Sequence, residues 1–129
     1  MIFTIDEAND LIPWLSQVFE SMEPLQLKVE NLAFEMAMLK QRVSSNGGSS
    51  VENEVKNLES LINETTLTMK STITEVLDKG IIVRSIPEGL VDFPYLLDGQ
   101  EVYLCWIRGE SVIGFYHETN TGYRDRQPI

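Results

Sequence analysis

The chain has one cysteine and one histidine in 129 residues, and each scarcity closes off a class of chemistry. With Cys105 alone, neither an internal disulfide nor a cysteine-based zinc site can form. His117-Glu118 looks like the first pair of a metalloprotease helix, but no second histidine exists, and neighbours on a strand point to opposite faces. No metal and no cofactor is therefore expected. Bases are also few: ten Lys and Arg stand against twenty Asp and Glu, a net charge of -10. Such a chain repels phosphate backbones, and no basic patch beyond Arg124 and Arg126 offsets this, so no nucleic-acid partner is expected. No apolar run approaches the ~20 residues that span a bilayer. A glycine-rich phosphate loop is missing, and the opening MIFTIDEANDL has neither the basic nor the apolar segment of a signal peptide. The expectation is a cytoplasmic protein without a membrane partner.

What is present suits one globular domain over residues 1–129, with 43% apolar and 23% charged residues. Its helical part is expected over residues 4–79, its sheet over 81–118 and a tail over 119–129. Thr4 and Glu7 have the spacing of a capping box, so a first helix should begin at Ile5. Pro13 removes one backbone bond, and Pro24 suits the first position of a new helix, so an N-terminal helix is expected to break near them. From there Leu25, Val29, Leu32, Met36, Leu39 and Val43 are spaced by fours and threes. After SSNGGSS (residues 44–50), Val51, Val55, Leu58, Ile62, Thr65, Met69, Thr72 and Val76 repeat the spacing. Two coiled-coil seams joined by a flexible linker should fold back as a long antiparallel helical hairpin, ended at Gly80. Leu27, Phe34 and Met38 lie off the seam and leave apolar surface for the sheet or a second subunit to cover.

The last third changes period. Ile81 to Arg84 reads as a short strand, and residues 90–95 as a strand demoted to an edge by Pro94. Asp98-Gly99 is a strong hairpin turn, and Gly109-Glu110 suits a second. The fold class is thus α+β, helices on a small antiparallel meander of three or four strands. The first turn sets Tyr95 against Val102, Phe93 against Leu104 and Val91 against Trp106. A two-residue second turn would set Leu104 against Phe115 and Val102 against His117, all on one apolar face. Asp92, Glu101, Tyr103, Cys105, Tyr116 and Glu118 then share the other face, with Asp92 across from Cys105 and Glu101 across from Glu118. Facing carboxylates destabilise a sheet, so Arg124 or Arg126 of the tail should lie beside them. Mid-strand, with no base lined up, Cys105 reads as a buried inert thiol.

The segments GLVDFP, DGQEVYLCW, GFYHE and GYRDRQPI, with the opening FTIDEANDLIPWL, resemble a family of small uncharacterised bacterial proteins, a domain of unknown function. The positions that match its signature are Asp92, Phe93, Pro94, Trp106, His117, Glu118, Gly122, Arg126, Gln127 and Pro128. The resemblance implies no activity.

Two functional expectations follow. The first is a non-enzymatic interaction or scaffold protein, a homodimer through its helical hairpin or a partner for another protein. The alternative is a small-ligand binder or enzyme using a carboxylate–arginine cluster built from Asp92, Glu101, His117, Glu118, Arg124, Arg126 and Gln127, with His117 as an acid–base residue if a bulge turns it to that face.

Overall fold

A computed structural model describes residues 1–46 and 49–129. Two helices, α1 (Ile5–Asn46) and α2 (Ser49–Asp78), precede a five-stranded antiparallel sheet. Its strands are β1 (Ile82–Ser85), β2 (Leu90–Leu97), β3 (Gln100–Ile107), β4 (Phe115–Glu118) and β5 (Gln127–Pro128), in spatial order β1-β2-β3-β4-β5. The α+β class holds, with a fifth strand added by the tail.

The capping box forms as the spacing demands. Thr4 N donates to Glu7 Oε1 at 2.8 Å, and Glu7 N donates to Thr4 Oγ1 at 3.0 Å. The expected break near Pro13 and Pro24 does not occur: α1 runs 42 residues through both prolines. Each proline leaves one carbonyl without its amide, Asn9 for Pro13 and Glu20 for Pro24, and the apolar periodicity on either side carries the helix through. The expected linker is also shorter than residues 44–50, since helix extends to Asn46 and resumes at Ser49. Gly47 and Gly48 lie outside the described residues.

The chain divides into two compact units, residues 21–71 and residues 1–20 with 72–129. In the first, the two helices form the expected hairpin. Leu25, Val29, Leu32, Met36, Leu39, Val51, Val55, Leu58, Ile62, Thr65 and Met69 are all buried or half-buried, whereas Leu27, Phe34 and Met38 are exposed, Phe34 at 69%. The seam periodicity is therefore what the side chains follow.

In the second unit, the first turns of α1 and the end of α2 cover one face of the sheet. Phe3 meets Phe93 edge-on at 5.2 Å and Phe19 lies 6.3 Å from Trp106, over a core that includes Leu15, Val76, Val91 and Leu104. Gly80, at φ 89°, ends α2 by donating to Leu77 O at 2.9 Å. Asp98 and Gly99 both have positive φ, 50° and 81°, the geometry of a primed two-residue turn, and β2 and β3 pair as the sequence predicts. Pro94 does not make β2 an edge. β1 pairs with β2 only as far as Asp92, so Pro94 sits past the end of β1, where its missing N–H costs no ladder bond. Its carbonyl instead accepts from Phe3 N at 2.8 Å.

The second hairpin differs from expectation by one residue. β3 ends at Ile107 and β4 begins at Phe115, so the connection spans residues 108–114 instead of a two-residue turn. Glu110 turns inward: its carbonyl accepts from Trp106 Nε1 at 2.8 Å and its Oε1 accepts from Ile107 N at 2.9 Å. The resulting register pairs Val102 with Glu118, Tyr103 with His117, Leu104 with Tyr116 and Cys105 with Phe115. A one-residue slip exchanges the faces of a strand. His117 and Phe115 thus leave the helix-covered face, and Tyr116 and Glu118 move onto it.

Candidate functional site

The face of the sheet away from the helices carries three buried donor groups, Asp92 from β2, Cys105 from β3 and His117 from β4, each at most 2% exposed. The slip in register is what unites them. His117 Nε2 lies 3.0 Å from Asp92 Oδ2, reaching over β3, and its Nδ1 lies 2.8 Å from Glu118 O. β1 supplies Arg84 from a bulge: pairing jumps between Val83 and Ser85, and Arg84 Nε donates to Asp92 Oδ2 at 2.8 Å. The guanidinium stacks 5.2 Å from the Tyr103 ring, whose edge meets His117 at 5.6 Å.

A carbonyl oxygen only accepts, so His117 Nδ1 donates to Glu118 O. Its Nε2 faces Asp92 Oδ2, the same oxygen that accepts from Arg84 Nε. Both ring nitrogens are engaged.

The donor atoms of Asp92, Cys105 and His117 all lie within 4.8 Å of one another. The set does not suit a cation. Asp92 Oδ2 already accepts from Arg84 and faces His117, and guanidinium groups flank both the carboxylate and the thiol. Burial pushes the Cys105 thiol up to about 11, helped by the Asp92 charge and partly opposed by Arg126, so the thiolate that a metal needs is disfavoured. Cys105 is nonetheless beside a histidine, contrary to the expectation that no base is aligned with it.

A separate clamp holds the tail. Arg126 lies between Phe115 and Tyr123, 4.1 Å and 4.3 Å from their ring centres, and makes a two-pronged pair with Glu110 at 3.1 Å and 3.0 Å. Burial lowers the Arg126 pKa, but the hydrogen bond and charge of Glu110 more than offset this, and the net shift is upward. Arg124 or Arg126 was expected beside Glu101 and Glu118; the shifted register separates those two, Glu101 opposing Leu96 and Glu118 opposing Val102. Gln127 lies in β5, where Tyr116 Oη donates to its Oε1 at 3.1 Å. Arg124 sits in the short 3-10 helix Tyr123–Asp125 and is exposed.

Of the residues singled out from sequence, the structure joins Asp92 and His117, and places Arg126, Gln127 and Arg124 in the tail clamp or near it. Arg84, paired with Asp92, and Glu110, paired with Arg126, were missed. Arg84 sits where β1 bulges, which no residue in that strand signals, whereas Glu110 occupied an expected turn and so escaped notice.

The cluster opens onto a cleft of about 380 Å³ lined by Arg84, Leu90, Asp92, His117, the turn 119–122 and Tyr123. A neighbouring cavity of about 790 Å³, reaching Glu88, Ile107, Arg124 and Asp125, shares Leu90, Gly122 and Tyr123 with it.

Fold and site together define an α+β protein whose open antiparallel sheet buries a charged cluster on the face away from its helices. The chain belongs to the family described as an uncharacterized conserved protein (DUF2203), whose model matches residues 1–129. No curated protein and no solved structure matches it.

Proposed function

We propose that this protein binds a small ligand in the cleft beside Asp92, His117 and Arg84. The observation that carries the reading is the cluster itself. Ionised groups buried in a sheet are a weak source of stability, since desolvation offsets their attraction, and here they border a cleft of ligand size. The alternative of an enzyme needs a free acid–base group, and His117 has both nitrogens engaged. Binding without chemistry is the reading that the geometry supports best. A thermal-shift screen against polar metabolites tests it, because a ligand of the folded state raises apparent stability. A hit that persists in Arg84→Gln, Asn120→Ala and Thr121→Ala alike would place binding elsewhere and end the proposal.

A second reading, self-association through the helical hairpin, rests on a different observation: Leu27, Phe34 and Met38 stay exposed in the unit of residues 21–71. A homodimer that buries them is compatible with ligand binding in the other unit. The free, buried Cys105 suits a reducing cytoplasm.

A further inference from the structure

We infer that the cleft takes a small oxyanion, a carboxylate or phosphate group, received by the terminal nitrogens of Arg84. This deepens the ligand-binding reading and rests on it. Three observations carry the chemistry. First, Arg84 brings a guanidinium to the cleft wall, anchored by its Nε on the buried Asp92 at 2.8 Å. Second, the other groups lining the cleft, Leu90, residues 119–122 and Tyr123, carry no carboxylate, so an incoming anion meets none besides Asp92, which is turned to Arg84 and His117.

The third observation is the way Arg84 is held. Its Nε is spent on Asp92, and its plane rests on Tyr103. The side chain lines the cleft and is 44% exposed. An arginine fixed through Nε and stacked on a ring presents its two Nη groups as a pre-set fork, the geometry that binds carboxylate and phosphate oxygens in two-pronged fashion. Lining hydroxyl and amide groups, Thr119, Asn120 and Tyr123, can take the rest of a polar ligand.

The test is a heteronuclear NMR titration of the full chain with inorganic phosphate and, separately, sodium acetate at constant ionic strength. Saturable shifts at the backbone amides of Thr121 and Gly122 and at the Arg84 Nε–H are expected with at least one anion. Phosphate alone identifies a phosphate-headed ligand, and acetate alone a carboxylate. Arg84→Gln should weaken binding by about tenfold or more, and Arg84→Lys by less, since charge remains but the fork is lost. If Arg84→Gln does not fold, the wild-type shift map and Arg84→Lys decide. Shifts scattered over surface lysines, or unchanged by either variant, overturn the assignment. Binding of an uncharged metabolite at Thr121 and Gly122, with both anions inert, overturns the anion and leaves ligand binding standing. Silence from the anions and from the metabolite screen overturns both.

Discussion

His117 Nε2 stands 3.0 Å from Asp92 Oδ2, although their strands are separated by β3 and their positions in the chain by 25 residues. The His117 ring and the Asp92 carboxylate meet over the central strand. The arrangement forms because the β3–β4 register places both on the same face, and because Arg84 from the other side aligns the carboxylate.

That contact predicts strong coupling. Removing one partner leaves the other buried without its bond, which costs ~3 kcal/mol or more. Asp92→Ala and His117→Ala should each destabilise by about that amount, and the double variant by much less than the sum. Denaturant unfolding of the four proteins gives a coupling energy of roughly 1–3 kcal/mol. Asp92→Asn should be milder than Asp92→Ala, because the amide fills the same volume and keeps an oxygen acceptor for Arg84 Nε. Strict additivity would show that the two side chains do not meet in solution.

Cys105 predicts a loss of stability in alkali. Its thiol pKa is raised by burial from 9.0 to about 11 in the folded protein. Raised means that the folded state holds its proton longer than the unfolded chain does. The contribution is therefore complete below about pH 9 and is lost as pH rises through 11, by at most ~3 kcal/mol at about 1.4 kcal/mol per unit. Tyrosines and lysines titrate in the same window, so the comparison is with Cys105→Ala, whose unfolding free energy should fall less steeply between pH 9 and 11. Parallel curves for the two proteins would mean that the thiol is not shielded.

The exposed stripe of α1 predicts a dimer at micromolar concentration. In a two-fold assembly each substitution acts twice. Burying one phenylalanine contributes about 2 kcal/mol, so Phe34→Glu should weaken association by about 4 kcal/mol, close to a thousandfold. Sedimentation velocity reads both proteins, and a wild-type monomer across that range would end the self-association reading.

Much of the fold was legible from local signals. The capping box at Thr4 and Glu7, the seam spacing from Leu25 onward and the Asp98-Gly99 turn each depend on residues close in sequence, and each forms as read. What escaped depended on distant contacts. The continuity of α1 through Pro13 and Pro24 is decided by periodicity winning over two lost bonds. Around the start of β4, Glu110 accepts locally from Trp106 and Ile107, and its pair with Arg126 forms only once the tail has returned to the sheet. From a glycine-first dipeptide the sequence suggests a tight turn, and one residue of error there exchanged the faces of His117 and Glu118. Site legibility followed register: Asp92 was assigned to its true face through the first turn, whereas His117 was assigned to the wrong one through the second.

The last prediction tests that register directly. Arg126 pairs with Glu110 through two bonds in a partly covered site, between the rings of Phe115 and Tyr123, and Glu110 also holds Ile107 N. Arg126→Ala removes the pair, the ring stacking and the anchor of β5 together, so it should cost about 2–4 kcal/mol, more than the ~0–1 kcal/mol of an exposed pair. Glu110→Gln keeps an oxygen for Ile107 N and removes the charge, so it should cost less. A double-mutant cycle between Arg126 and Glu110 should give a coupling of about 1 kcal/mol or more, whereas the cycle between Arg126 and Glu118 should give a value near zero. A two-residue turn at Gly109-Glu110 reverses that ranking, because it leaves Glu110 at the tip and sets Glu118 opposite Glu101, where Arg126 would have to balance them. Coupling to Glu118 in excess of coupling to Glu110 would therefore restore the tight turn, return His117 to the helix-covered face and dissolve the cluster on which the cleft depends.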